Sequence, residues 1–339
     1  MTKKCKVFVS VPSNTEVFRT FIAPEVQSYL EERFEVSYLP LDRKLVKEEI
    51  AEYAADADVI ITGWAHCLMD AECLKDTSVK LIVHTGGSVG GVVTPDVYDA
   101  GIRVISGNDM YADSVAEGVL AYILTLVRKI PDYCNSVREG NWQPRGLITE
   151  GLLDQTVGIV GMGAISRRVI KLLQPFNVKV KIYSGHPVEE SFLREYNAQQ
   201  VSLEEVFASC KIVSLHSAMN ERTKGMIRKK HFDLLQDGSF FLNTARGKLI
   251  NEEEMIEALK ENRFRALLDV YHKEPLPSDS LLRSLPNVYC MPHVAGPTID
   301  RRPMVTMRLA DDILRFVNED PLRMEISKEY AARMTVVVR

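Results

Sequence analysis

One stretch constrains this chain more than any other: Thr156 to Leu173, TVGIVGMGAISRRVIKLL. Val157 to Val160 is a short run, apolar apart from one glycine, as expected of a strand buried in a parallel sheet. Gly161-Met-Gly163-Ala-Ile-Ser166 then turns the chain. Arg167 to Leu173 continues as a helix, with Val169, Ile170, Leu172 and Leu173 available for an inner face. Such a turn is where a dinucleotide pyrophosphate can sit. Gly161 permits the sharp turn, Gly163 lets backbone approach a phosphate, and free N–H groups at the helix start meet the negative charge. The third glycine of the G-x-G-x-x-G pattern is Ser166 here. Gly161, Gly163, Ala164 and Ile165 are the expected phosphate-side contacts.

Around this turn the chain alternates strands and helices, which predicts doubly wound parallel sheets. The first series has strands at Val7 to Val11, Val36 to Tyr38, Val59 to Thr62, Leu81 to His84 and Val104 to Ser106. A long apolar helix, Ala112 to Lys129, ends near Pro131, and Tyr133 to Gly151 reads as a polar, irregular arm. The second series has further strands at Val178 to Tyr183, Ile212 to Leu215, Ser239 to Asn243, Ala266 to Val270 and Val288 to Met291. Arg301 to Val317 reads as a helix returning to the first series. The expected organisation is a dinucleotide-binding domain, 112–300, inserted into a domain built from 1–111 and 301–339. A cleft between two such domains is a usual place for a cofactor and a small substrate.

Bulk properties narrow the function. The 339 residues carry a formal net charge of -4, and charged residues make up 26%, which gives no general case for nucleic-acid or membrane binding. No run approaches 18 uninterrupted apolar residues, so no membrane span is expected. The start lacks the pattern of a signal peptide. Cys5, Cys67, Cys73, Cys134, Cys210 and Cys290 are scattered without a C-x-x-C pair. They read as reduced thiols of a cytoplasmic protein, with no metal site.

Ligands gather at the carboxyl ends of strands in an open parallel sheet. The second series places His216, Arg246, Asp269 and His293 there, with Glu274 close behind Asp269. A guanidinium can clamp a carboxylate and a neighbouring carbonyl. A carboxylate beside an imidazole favours its charged form and fixes its tautomer. The imidazole can then give a proton to a carbonyl oxygen as a cofactor supplies hydride.

These residues sit in segments that resemble one family. Asn243-Thr-Ala-Arg246-Gly, Leu268-Asp269-Val-Tyr-His-Lys-Glu274-Pro and Pro292-His293-Val-Ala-Gly296 are similar to three motifs of the D-isomer-specific 2-hydroxyacid dehydrogenases. They stand in the family's order behind a dinucleotide turn, and the resemblance covers nearly the whole chain. It implies a Rossmann NAD(P)-binding domain inserted into a flavodoxin-like substrate domain. It also implies interconversion of a 2-oxo acid and a D-2-hydroxy acid. By the resemblance, Arg246 binds substrate, His293 is the acid/base and Glu274 its partner. Asp269 faces the nicotinamide, and His216, Thr244, Ala245 and Gly296 line the cofactor. Backbone N–H groups of Gly87, Ser88 and Val89 hold the substrate carboxylate. Family members are commonly homodimers.

Two choices stay open on the residues. The position after the second strand of the dinucleotide domain, where an acidic residue normally holds the adenine ribose, is Ser184, followed by Gly185 and His186. The reading leans to NAD, with NADP open. Trp64, His66, Tyr111 and Trp142 either shape the substrate pocket or simply pack, and His66, His84, His186, His231 and His272 read as surface or satisfied histidines. Tyr122 reads as part of an apolar core stripe. Two other functions fit similar motifs. One is a dinucleotide-sensing regulator resembling the C-terminal-binding-protein co-repressors. The other is a D-3-phosphoglycerate dehydrogenase, although 62–67 and 85–93 hold no Lys or Arg for a substrate phosphate.

Overall fold

The computed structural model describes residues 4–64, 66–142, 144 and 146–335. They form two compact units, Met1–Tyr111 with Pro297–Arg339, and Ala112–Gly296. The return crossing falls at Gly296–Pro297, a few residues before the expected position.

The first unit is built on five parallel strands: β1 (Lys6–Val9), β2 (Glu35–Tyr38), β3 (Val59–Thr62), β4 (Leu81–His84) and β5 (Arg103–Ser106). Their order is β2-β1-β3-β4-β5. In register, Val7 stands beside Val36 and Val59, and Val83 beside Ile61 and Ile105. The sheet is covered on both faces, which explains continuous runs such as VIIT and LIVH. Val59, Ile61, Leu81 and Val83 enter one core with Phe21 and Leu30. Ile60, Ile82 and Val104 enter the other with Ile50 and Leu74, the period-two alternation of a strand. The helix Arg302–Val317 adds Val305, Leu309 and Ile313 to the first of these cores, so the C-terminal segment completes this unit.

The second unit has seven parallel strands: β6 (Thr156–Val160), β7 (Lys179–Tyr183), β8 (Ala198–Gln200), β9 (Ile212–Leu215), β10 (Phe240–Asn243), β11 (Arg265–Leu268) and β12 (Val288–Cys290). Their order is β12-β11-β10-β9-β6-β7-β8. The chain runs outward from β6 to β8 and then restarts on the other side at β9. The switch point therefore lies between the carboxyl ends of β6 and β9, where ligands of such sheets bind. Val157, Ile159, Val180 and Ile182 point into one core. Val160, Val213, Leu215 and Phe241 point into the other.

Three local readings change. The long apolar helix runs Asn108–Arg128, starting earlier than its apolar stripe. By length and composition it could cross a membrane, but Val119, Ile123 and Leu126 pack against the dinucleotide sheet as part of its core. The expected irregular arm begins as a second helix, Ile130–Arg138. Lys129 breaks the first helix in a left-handed conformation (φ 50°), and Pro131 starts the next, where its missing N–H costs nothing. Asp132 ties that helix down by an ion pair to Arg265 (2.8 Å) and a hydrogen bond from Tyr289 (2.7 Å). Gln143 and Arg145 of the arm lie outside the described residues. Finally, β8 is an edge strand with no counterpart in the sequence reading.

The second sheet's last strands depend on one buried amide. Asn287 is 2% exposed, and its Nδ2 donates to the carbonyls of Leu259 and Phe264, both at 2.9 Å. Asn287→Ala strands the Phe264 carbonyl and leaves the Leu259 carbonyl with the Asn262 amide (3.0 Å), which should cost on the order of 1–3 kcal/mol, seen as a thermal midpoint several degrees lower.

Candidate active site

The dinucleotide turn is held by its own backbone and by the serine that replaces a glycine. Gly161 has φ 101°, and a Cβ there would lie 2.5 Å from the Ser217 amide nitrogen. Gly163 precedes the helix Ala164–Leu173, and no heavy atom stands within 4 Å of where its side chain would be. The amides of that helix's first turn, Ala164 and Ile165 among them, lack intrahelical acceptors. Ser166 is buried; its hydroxyl donates to the Gly161 carbonyl (2.6 Å) and accepts from the Gly163 amide (3.4 Å). The serine thus pins the loop instead of loosening it.

Neighbouring strand ends add polar groups. At the end of β9, His216 Nε2 bonds Ser214 Oγ (2.9 Å), while Nδ1 has no partner among the described residues. Burial pushes this imidazole down to about 4, so it is neutral at physiological pH. After β10, the Thr244 hydroxyl is also buried and without a partner among the described residues. The Ala245 amide is held by Asn243 Oδ1 (3.0 Å). An open glycine cradle, free helix amides and two orphaned polar atoms fit a dinucleotide with its pyrophosphate at the turn.

The loop after β7 is shaped from the sheet edge. Ser184 Oγ accepts the His186 amide (3.2 Å). Gln200 on β8 donates to the carbonyls of Ser184 (3.4 Å) and His186 (3.0 Å) and accepts the Val188 amide (2.9 Å). Glu189 is committed to Arg167 at 2.5 Å.

Arg246, Glu274 and His293 all belong to this second unit. Among the described residues, the Arg246 guanidinium makes one hydrogen bond, Nη1 to the Ala245 carbonyl (2.6 Å), and no ion pair. Burial works against its charge, and the Glu274 carboxylate supports it. Glu274 Oε1 accepts the Tyr271 amide (3.0 Å), and Oε2 meets His293 Nδ1 at 2.7 Å. Burial alone would raise the Glu274 pKa, but His293, the Tyr271 amide and the Arg246 charge outweigh it and hold the carboxyl below its usual value. The imidazole is half exposed, with Nδ1 taken by Glu274 and Nε2 without a partner among the described residues.

Asp269 corrects one expectation. It stands just past β11 and is fully buried. Oδ1 accepts the Val294 amide (2.9 Å) and the Tyr122 hydroxyl (3.2 Å), and Oδ2 accepts the Ala295 amide (3.0 Å). A carboxylate without exposed surface, occupied by three donors, holds the loop after His293 and does not present itself to a nicotinamide. Tyr122, read as a core residue, is its partner.

In the first unit, the amides of Gly87, Ser88 and Val89 donate to no acceptor among the described residues. The Ser88 hydroxyl is committed to the Thr335 carbonyl (2.8 Å), so this loop offers backbone. His84, buried at the end of β4, bonds Thr62 Oγ1 through Nδ1 (2.9 Å). Burial, helped by His66, pushes it down to about 3, and burial takes His66 to about 4. Both are neutral. His66 is not satisfied, since its Nε2 has no partner among the described residues. Trp64 and Tyr111 meet edge to face at 6.3 Å. Trp142 is 81% exposed and enters none of the cores.

A seven-stranded parallel sheet with a glycine turn at its switch point defines the second unit as a dinucleotide-binding domain. Residues 120–295 match the family described as D-isomer specific 2-hydroxyacid dehydrogenase, NAD binding domain, and the chain belongs to that family. As a member it is an oxidoreductase that uses NAD(P). It is 28% identical over 302 residues to a human glyoxylate reductase/hydroxypyruvate reductase, covering 86% of this chain and 90% of that protein. It is 28% identical over 289 residues to D-3-phosphoglycerate dehydrogenase of Archaeoglobus fulgidus, covering 85% of this chain but 54% of the relative. The crystal structure of a glyoxylate reductase from Paecilomyes thermophila shares the fold with a TM-score of 0.80 at 21% identity, covering 97% of this chain and 100% of that one.

The turn's geometry makes a direct prediction. A Cβ at Gly161 meets backbone, so Gly161→Ala imposes strain of about 1–3 kcal/mol. The Kd for NADH, measured by fluorescence titration, should rise roughly tenfold or more.

Proposed function

We propose that this chain reduces a small 2-oxo acid to the D-2-hydroxy acid, and runs the reverse reaction, with Arg246, Glu274 and His293 as its catalytic set. The observation that carries this reading is the 2.7 Å contact between His293 Nδ1 and Glu274 Oε2, with the unpaired Arg246 guanidinium close enough to bias Glu274. Arg246 clamps the substrate carboxylate and polarises its carbonyl with the donors that remain, among the described residues, beside its one bond to the Ala245 carbonyl. Glu274 fixes the proton on His293 Nδ1 and stabilises the charged ring, leaving Nε2–H for the carbonyl oxygen. The bound nicotinamide supplies or accepts the hydride. In the reductive direction, the carbonyl oxygen takes the Nε2 proton as carbon 2 takes hydride; oxidation returns that proton to Nε2. Taken by itself, the loop of Gly87, Ser88 and Val89, whose amides have no acceptor among the described residues, is suited to an anion.

For the substrate we favour the glyoxylate and hydroxypyruvate class. The names of the human, Thermotoga maritima and Paecilomyes thermophila proteins support it. The residues argue against a phosphorylated substrate: 62–67 and 85–93 contain no Lys or Arg. Arg302, which stacks over Trp64, is committed to Glu16 at 2.8 Å. A cytoplasmic homodimer completes the proposal. NAD is the favoured form of the cofactor, on the same residues as before.

The deciding experiment is reduction of a panel of 2-oxo acids with NADH and with NADPH, followed by chiral analysis. A D-product from glyoxylate homologues such as hydroxypyruvate supports the reading. Binding of NADH without turnover of any member would replace it with a sensing role. His293→Ala should lower kcat/KM by ~100-fold or more. Glu274→Gln removes the carboxylate that meets His293 Nδ1 and orients the ring, so kcat should fall about tenfold or more with KM for the cofactor little changed. An unchanged kcat would break the assigned partnership.

A further inference from the structure

We propose that Tyr122 is a positioning residue for proton transfer: its hydroxyl, acting through the Asp269 carboxylate, sets the loop that carries His293. The inference rests on the reading of His293 as the proton carrier. His293 has φ 57°, a left-handed backbone that a non-glycine residue keeps only when its surroundings impose it. The next two amides supply that imposition, since Val294 and Ala295 both donate to Asp269 (2.9 and 3.0 Å). The third donor to the same carboxylate is Tyr122, 147 positions earlier in the chain (3.2 Å).

Tyr122 sits on the helix Asn108–Arg128, and one turn before it the same helix touches the same loop. A Cβ at Gly118 would lie 3.1 Å from the Ala295 carbonyl oxygen and 3.2 Å from its Cα. The helix therefore passes the loop closely at Gly118, where a side chain would crowd Ala295, and holds it by the phenol at Tyr122. The Tyr122 ring lies in the apolar core with Val119, Ile123 and Leu126. A phenylalanine would fill that space equally well, so the hydroxyl is the tyrosine's distinct contribution. Burial and the adjacent Asp269 both push the phenol's pKa up, which keeps it a neutral donor. Without it, the buried carboxylate keeps its two amide donors but loses the bond that ties it to the helix, so the loop and the strand end are no longer anchored to that helix through Asp269. Small displacements of a reacting group cost rate more than binding.

The test is Tyr122→Phe in the full chain, alone and combined with Asp269→Asn. In the single variant, kcat for 2-oxo acid reduction should fall about tenfold, while KM for the nicotinamide cofactor stays within about twofold. Hydrogen exchange at the Val294 and Ala295 amides should quicken about tenfold, with β6 and β10 unaffected. In the Asp269→Asn background, Tyr122→Phe should add no further loss of kcat. Unchanged exchange at those amides overturns the proposal, and so does a full additional loss in the double variant. Should Asp269→Asn fail to fold, the exchange measurement on Tyr122→Phe decides alone. That measurement needs no turnover. A protein inactive on every 2-oxo acid would sink the proposed function, while the exchange result still reports on the loop.

Discussion

A fully buried carboxylate, satisfied among the described residues by neutral donors, is the constraint on which the carboxyl end of the second sheet depends. Burying Asp269 without a cation would be costly by several kcal/mol if its oxygens were idle. Two amides and a phenol meet that cost, and in doing so they fix three pieces of chain. The end of β11, the loop after β12 and the long helix before β6 are joined at one point. The imidazole of His293 takes its direction from that junction, and Glu274 then meets it from the same stretch of chain that carries Asp269. The placement of His293 here is a by-product of satisfying a buried charge.

Most of the sheet architecture was legible because both sheets are covered on both faces. A strand buried on two sides must be apolar throughout, and VIIT, LIVH, IVSL and FFLN announce themselves for that reason. The elements that escaped lack this pressure. β8, with the residues AQQ, is a polar edge strand of 3 residues; its place comes from pairing with β7 and not from its own pattern. Pro131 read as a terminator because proline ends helices, yet it opens the next one. Which role it plays turns on the backbone of Lys129, and no side-chain pattern reveals that.

The candidate site was legible to the extent that its chemistry lies in short segments. Arg246, Glu274 and His293 each sit just past a strand, in runs whose residue types fit one reaction. What could not be read was how those groups are held. Asp269 looked like a ligand contact because it stands at a strand end, but its environment is made by a tyrosine far away in the chain. Ser166 looked like a weakened glycine motif; its hydroxyl proves to be a clasp across the turn, an arrangement that depends on backbone atoms coming within bonding distance. His66 looked satisfied and carries a ring nitrogen with no partner among the described residues. In each case the residue type was visible and the hydrogen-bond partner was not.

Gln200 carries a consequence for anyone redesigning which nicotinamide coenzyme this fold prefers. The hairpin-like segment beyond β7 owes its contour to one amide side chain on an edge strand, which grips two carbonyls and a backbone N–H. Exchanging Ser184 or His186 alone would place new functional groups on an old outline. The outline itself is held from position 200, so a redesign of this loop has to take the edge strand along with it.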